Sequence, residues 1–135
     1  MIRTEGLYKS FDNKVVLSDI NVTFEAGKVN LIIGKSGSGK TVLLKSLIGL
    51  HTIDRGHIYY GDRDLTKMNS RQMKKLREEI GVVFQGGALF DSQTVLENVM
   101  FPLNLFSDLS ENDKRERALF CLQRVDLKDA ENLYP

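Results

Sequence analysis

The sequence lacks tryptophan and has only one cysteine, two prolines and few aromatic residues, which make up 8% of its 135 positions. The single Cys121 excludes an internal disulfide. No apolar run approaches the about 18 residues of a membrane-spanning helix, and a formal net charge of +1 gives no indication of a nucleic-acid partner. The length is sufficient for one domain with a buried core. We therefore expect a soluble globular protein, with the cytoplasm as its default compartment.

Glycine, by contrast, is concentrated in one short loop. Residues 34–41 read GKSGSGKT and match the pattern G-x-x-x-x-G-K-[ST] of a phosphate-binding loop. The apolar run VNLII at 29–33 precedes the loop and predicts a strand buried on both faces. From Lys40 the apolar residues follow a helical period, and Gly49 is the predicted C-cap. A strand, a glycine loop and a helix in this order are the context in which the motif binds a nucleoside triphosphate.

Each residue type in this loop has a physical role in holding a triphosphate. Glycines allow backbone N–H groups to approach phosphate oxygens, and a helix N-terminus adds a partial positive charge. Lys40 brings a full charge to the β- and γ-phosphates, and the Thr41 hydroxyl is a suitable ligand for Mg²⁺. The residues predicted to bind the nucleotide here are Gly34, Lys35, Ser36, Gly37, Ser38, Gly39, Lys40, Thr41 and Val42. The alternative is a glycine-rich turn that binds nothing.

The remaining periodicities predict further strands and helices. Short strands are predicted at 15–17 and 20–24, as an antiparallel pair after a turn at Asp12-Asn13, and at 58–60 and 82–84. Ser70 is the predicted N-cap of a helix whose outer face is basic and solvated. Ser110 is the predicted N-cap of a second helix. The residues predicted to face the core from this second helix are Ala118, Cys121, Leu122 and Val125.

Five segments in a fixed order carry a resemblance to one family. They are YKSF at 8–11, GKSGSGKT at 34–41, RGHI at 55–58, IGVVFQ at 80–85 and TVLENV at 94–99. Together they resemble the first half of an ATP-binding cassette (ABC) transporter ATPase, over essentially the whole chain. The resemblance implies an α/β fold of the P-loop NTPase type, with N-terminal antiparallel strands, the start of a helical subdomain and a sheet that is incomplete in this chain. Residues 1–99 would hold the strands, P-loop core and Q-loop, and residues 100–135 the start of the helical subdomain.

The resemblance also implies roles for single residues. Phe11 would stack on adenine, although the family more often has tyrosine there; the alternative is a core phenylalanine. Gln85 would be the Q-loop glutamine, a catalytic residue together with Lys40 and a magnesium contact together with Thr41. At Val42 the family commonly has a second hydroxyl residue. The hydrogen bond lost there is worth about 1 kcal/mol, so we expect slightly weaker ATP binding.

The same resemblance implies the cofactors and partners. ATP and Mg²⁺ would be the cofactors, and a second ATPase subunit would complete a head-to-tail dimer. A membrane permease would contact residues 85–98, which places the protein in the cytoplasm, peripheral on the inner face of the cell membrane. The segment QGGALFD at 85–91, followed by TV at 94–95 and FPL at 101–103, resembles the ATPase of bacterial lipid-trafficking systems of the Mla/Mce type. A phospholipid cargo follows from that likeness; an amino-acid or lipoprotein-type transporter is the alternative.

The family's second half has no counterpart in this sequence. There is no LSGGQ-like signature, no apolar strand ending in Asp-Glu and no switch histidine, and the chain ends at LYP (133–135), where the signature is expected to follow. We therefore expect nucleotide binding without efficient hydrolysis, and a chain that is marginally stable or self-associates. Two other classes stay open. One is a small P-loop kinase or GTPase, against which the lack of an NKxD-like segment argues; the other is a truncated or non-catalytic nucleotide-binding regulator.

Overall fold

The computed structural model describes residues 1–84 and 86–135, which divide into two compact units. The first unit comprises Met1–Gly81 and the second Val82–Pro135. Within the described part of the chain, no helix has both the length and the apolar character that crossing a membrane requires. The predicted division of the family's subdomains at residues 99 and 100 stays a prediction.

The first unit is built on a four-stranded antiparallel sheet with the strand order β2-β1-β3-β4. Its strands are β1 (Ile2–Phe11), β2 (Lys14–Phe24), β3 (Arg55–Tyr60) and β4 (Arg63–Asp64). The predicted turn at Asp12 and Asn13 joins β1 to β2, and both residues have positive φ (48° and 63°). Two positive φ values match the right-handed twist of a two-residue hairpin. The sheet therefore begins with a tight hairpin in which β1 is the central strand.

Three of the strand predictions need correction. Residues 15–17 and 20–24 do not form an antiparallel pair, because both lie in β2, and the irregularity at Asp19 (φ 51°) is a bulge within that strand. The runs at 29–33 and 82–84 are irregular in the structure. Val29 and Val83 are 99% and 97% exposed. A strand exists only where a neighbouring strand takes up its backbone hydrogen bonds, and no described residue pairs with either run.

Two helices and a short 3-10 turn complete the first unit. Helix α1 (Lys40–Leu47) has Ile48 as its C-cap, one residue before the predicted Gly49. The N–H groups of Gly49 and Leu50 donate to the carbonyls of Ser46 and Lys45. A 3-10 turn (Leu65–Lys67) leads to α2 (Ser70–Glu78). The predicted N-cap of α2 was wrong by one residue. Asn69 is the N-cap, since its side chain accepts the Gln72 N–H in a capping box.

The first unit has one hydrophobic core, to which the sheet, α1, the 3-10 turn and α2 all contribute. It consists of the buried residues Leu7, Leu17, Leu43, Leu47, Ile58, Leu65 and Leu76. The Tyr60 hydroxyl donates to the Leu47 carbonyl at 2.8 Å, which ties β3 to the last turn of α1. Burial raises the pKa of Tyr60 to about 12. Because the phosphate-loop helix packs on this core, the core fixes where the loop lies.

The second unit is a pair of helices, α3 (Val95–Phe106) and α4 (Glu111–Arg124). The predicted cap of α4 is confirmed, since Ser110 accepts the Asp113 N–H. The buried contact between the helices is narrow and consists of Leu96, Ala118 and Leu122. The prediction that Cys121 and Val125 face the core is wrong: Cys121 is exposed, and Val125 lies at the C-cap with 65% exposure. The buried stripe of α4 consists of Ala118 and Leu122, which are four residues apart. This stripe is too narrow to include Cys121 or Val125.

Candidate functional site

The glycine loop runs directly into α1, with its backbone folded tightly back on itself. Gly37 and Gly39 have φ values of 74° and 92°, and the Ser38 N–H donates to the Lys35 carbonyl at 3.3 Å. A Cβ at Gly34 would lie 2.7 Å from the Ser38 hydroxyl oxygen. The positive φ values favour glycine at positions 37 and 39, whereas at position 34 the Ser38 hydroxyl would have to rotate away from an added Cβ.

The N-terminus of α1 is open to an anion. Its N-cap is Gly39, which has no side chain to cap the first N–H groups, and the first helical turn contains no acidic residue. These N–H groups and the helix dipole together favour negative charge at this end. An acidic or hydroxyl cap would have competed for the same donors.

Lys40 is half-buried, and its ammonium folds back onto the start of the loop. Its Nζ donates to the carbonyls of Gly34 and Lys35, both at 2.8 Å. The Thr41 side chain beside it is exposed. A cation and a hydroxyl therefore stand next to the open helix end, which is the combination that a phosphate and its magnesium ion require.

A cavity of about 170 Å³ lies at this helix end. It is lined by Val16, Gly37, Ser38, Gly39, Lys40, Thr41 and Val42. Val16 belongs to β2 and was missed by the sequence analysis, because only the folded sheet brings it to the loop. The contact is tight, since a Cβ at Gly39 would lie 3.1 Å from the Val16 carbonyl oxygen. The loop is thus held against the β1–β2 hairpin.

Val42, where the sequence departs from the family pattern, packs its side chain against the core of the first unit. Its carbonyl accepts a hydrogen bond from the buried Ser46 hydroxyl at 2.8 Å. The apolar side chain therefore takes part in holding α1 on the core as well as lining the cavity.

Phe11, the predicted adenine-stacking residue, ends β1 and is 39% exposed. Its ring stands edge-on to the His51 ring, with 5.3 Å between the ring centres. The described lining of the cavity does not include Phe11; the hairpin connects the ring to Val16 at the cavity. Gln85, the predicted Q-loop residue, lies outside the described residues.

The donor set fits a magnesium triphosphate better than a metal held by the protein alone. Within residues 1–84 and 86–135, no group of three or more His, Cys, Asp or Glu side chains could hold a metal ion. Mg²⁺ commonly keeps several waters and binds through substrate phosphates with few protein oxygens. The Thr41 hydroxyl is placed to be one such oxygen.

In the second unit, one side chain shapes the loop that precedes α3. The Asn98 amide donates to the carbonyls of Phe90, Gln93 and Thr94 at 3.0 to 3.1 Å, and its oxygen accepts the Phe90 N–H at 2.8 Å. Thr94 and Glu97 form a capping box on α3. The loop therefore has a fixed form that presents the exposed Leu89 and Phe90 side chains.

The glycine loop, the uncapped helix after it and the Lys-Thr pair define the class of P-loop proteins. A family model described as "ABC transporter" matches residues 17–134. The chain therefore belongs to the ABC transporter family, and the part it represents is the ATP-binding domain.

Similar proteins with a described function support membership in this family. The chain is 37% identical to the probable ribonucleotide transport ATP-binding protein mkl of Mycobacterium leprae, over 99% of this chain and 39% of that protein. It is 38% identical to the L-cystine import ATP-binding protein TcyC of Bacillus subtilis, over 100% of this chain and 56% of that protein. The dimeric ATP-binding cassette MJ0796, in a post-hydrolysis state bound to ADP and Pi, superposes with a TM-score of 0.87 at 29% identity, over 100% of this chain and 62% of that one. The chain thus spans less than two thirds of each of these relatives.

Proposed function

We propose that the chain is the ATP-binding part of an ABC transporter ATPase, which couples ATP binding and hydrolysis to transport through a membrane permease. The observation that carries the proposal is the uncapped N-terminus of α1 with Lys40 and Thr41 beside it. Its position inside the matched family segment supports ATP as the ligand.

The residues of this chain would divide the work of holding Mg-ATP. The loop and helix N–H groups would bind the phosphate oxygens, and Lys40 would move its ammonium from the loop carbonyls to the β- and γ-phosphates. Thr41 would supply an oxygen to Mg²⁺, and the Phe11 ring would stack on the base. Bound ATP supplies the phosphoanhydride whose hydrolysis drives transport. Gln85 is proposed as a catalytic contact to Mg²⁺ or the attacking water, and a second ATPase subunit would close the site in a head-to-tail dimer.

Titration of Mg-ATP into the purified chain tests the nucleotide site. The Lys40→Ala variant loses a charged hydrogen bond worth roughly 1.5–3 kcal/mol, so its Kd should rise about ten- to a hundredfold. Lys45→Ala is the matched control, because Lys45 lies in the last turn of the same helix. Saturable binding by the wild type and Lys45→Ala, weakened in Lys40→Ala, supports the proposal. Binding that is absent, or that Lys40→Ala leaves unchanged, contradicts it.

We further propose that the loop held by Asn98 contacts the permease, because Leu89 is 59% exposed there. Charge reversal at Glu97 is a poor test of this contact, since its carboxylate accepts the Thr94 N–H in the cap of α3. Leu89→Asp changes the exposed surface and leaves the cap intact. We expect this variant to lose co-purification with the permease. Val125→Asp, at a residue that is 65% exposed at the end of α4, should retain it. Equal recovery of the permease with both variants would argue against the contact.

The name of mkl, a probable ribonucleotide transport protein, leaves a ribonucleotide cargo open beside two other classes. The name of TcyC, an L-cystine importer, supports an amino-acid-type cargo, whereas the loop segment at 85–91 supports a phospholipid. Substrate-stimulated ATP hydrolysis by the assembled transporter distinguishes them. Stimulation by phospholipid and not by amino acids would exclude the amino-acid class, and the reverse result would exclude the phospholipid class.

A further inference from the structure

The end of β1 that carries Phe11 is held by one carboxylate. Asp54 Oδ2 accepts the Ser10 N–H and the Ser10 hydroxyl, both at 2.6 Å, and Oδ1 accepts from the Lys9 ammonium at 3.0 Å. The Asp54 N–H in turn donates to the Tyr8 carbonyl at 2.9 Å. The three residues immediately before Phe11 are therefore all tied to the turn that precedes β3.

Lys9 extends this network to the aromatic ring itself. Its ammonium lies over the Phe11 ring, 5.0 Å from the ring centre, and only 12% of the Lys9 side chain is exposed. A cation in this position is attracted by the ring's π electrons. With His51 against the ring as well, Phe11 has little freedom to turn, yet 39% of its surface stays accessible.

The orientation of this ring matters because stacking requires the ring and the phosphate loop to be held at a fixed separation. The hairpin provides the connection: Phe11 pairs with Lys14, and Val16 two residues later lines the loop cavity. A ring that swings freely would lose much of the stacking contact while the phosphate contacts remained.

We propose that Asp54 and Lys9 are positioning residues for the nucleotide base: they hold the Phe11 ring where a base bound through its phosphates can stack on it. The inference rests on the proposed function, since it requires a nucleotide in the glycine loop. Neither side chain is proposed to touch the triphosphate, because both are engaged with each other and with β1.

The test separates the contribution of the base from that of the phosphates. For each variant, the Kd of Mg-tripolyphosphate is divided by the Kd of Mg-ATP. We expect Asp54→Ala and Lys9→Met to lower this ratio by about three- to tenfold, since a base stacked on an aromatic ring contributes that much or more to affinity. A general loss of charge or stability would weaken both ligands equally and leave the ratio unchanged.

Arg63→Gln is the matched control, because it removes an exposed ion pair, Arg63 with Glu79, between β4 and α2 of the same unit. This variant should keep the wild-type ratio. Should Asp54→Ala fail to fold, Lys9→Met alone carries the test, as methionine keeps the length of the side chain without the ammonium. Unchanged ratios in the folded variants, or equal affinity of the wild type for ATP and tripolyphosphate, overturn the inference. Failure of the wild type to bind either ligand overturns the nucleotide site itself.

Discussion

At the scale of single residues, the hydrogen bonds to Asp54 change how its carboxyl group ionises. The Ser10 hydroxyl, the Lys9 ammonium and the Ser10 N–H all favour the charged form and lower the pKa of Asp54 from 3.8 to about 2. Because the folded pKa is the lower one, the folded state binds this proton less tightly than the unfolded state. The stability gained from Asp54 is therefore fully present above pH 4 to 5 and is lost as the pH falls towards 2.

Substitution of Asp54 tests this pH dependence. We expect the wild type to exceed Asp54→Asn in unfolding midpoint by a constant amount at neutral pH, and the difference to shrink once the pH falls below about 4. The measurement is the urea midpoint of both proteins at a series of pH values. A difference that is constant down to the lowest pH at which both fold would show that Asp54 titrates normally.

The sequence predicted some site residues and missed others for one physical reason. The residues at 34–42 form a contiguous motif, so their proximity follows from the chain itself. Val16 and Asp54 reach the loop and β1 only through strand pairing, and no local pattern marks them. Asp54 lies directly before the segment RGHI at 55–58. The sequence analysis used that segment for the family resemblance but assigned no partner to the Asp54 carboxylate.

At the scale of elements, α1, α2 and α4 were predicted close to where they form, whereas α3 (Val95–Phe106) was not predicted as a helix. Helix α4 and its cap Ser110 follow from residues three to four apart in the chain. The runs at 29–33 and 82–84 have the composition of buried strands, but a strand also needs a neighbour that composition does not supply. The sheet that does form uses β1, of which the sequence analysis predicted no strand.

The close approach of β1 and β3 gives an element-scale prediction. Gly56 has φ 90°, and a Cβ there would lie 2.2 Å from the Gly6 carbonyl oxygen. Because the Gly6 oxygen is a backbone atom of β1 and cannot rotate away, Gly56→Ala should separate the strands and cost about 3 kcal/mol or more. Urea denaturation followed by circular dichroism measures the loss.

Gly61→Ala is the control for this substitution. Gly61 also has positive φ (59°), in the turn between β3 and β4, but a Cβ there meets nothing within 4 Å. Only the backbone strain remains, so we expect a loss of about 1 kcal/mol. Similar losses in both variants would show that strain, and not the contact with Gly6, decides the cost at Gly56.

At the scale of the whole molecule, the predicted α/β class and the N-terminal antiparallel strands agree with the family's solved cassettes. The division into units at Gly81 and Val82 was not predicted, because it depends on which elements pack together. The apolar run at 29–33 lies directly before the phosphate loop, so its exposure has consequences for the behaviour of the chain in solution.

Self-association is the expected consequence of this exposed run. Val29, Leu31 and Ile33 are 99%, 78% and 83% exposed, and their backbone has no partner strand among the described residues. Exposed apolar side chains on backbone without a partner strand favour association with a second chain. We expect sedimentation velocity to show species larger than the monomer as the concentration of the chain rises from micromolar towards millimolar.

Charge placed within the run should suppress this association, because a lysine cannot be buried unpaired in a new interface. The double variant Leu31→Lys, Ile33→Lys is expected to sediment as a monomer over the same concentrations. Val125→Lys, at an exposed apolar residue outside the run, should associate like the wild type. If the wild type stays monomeric throughout, the run is shielded in solution. If Val125→Lys abolishes association and the double variant does not, the contact lies in the second unit and not at the run before the phosphate loop.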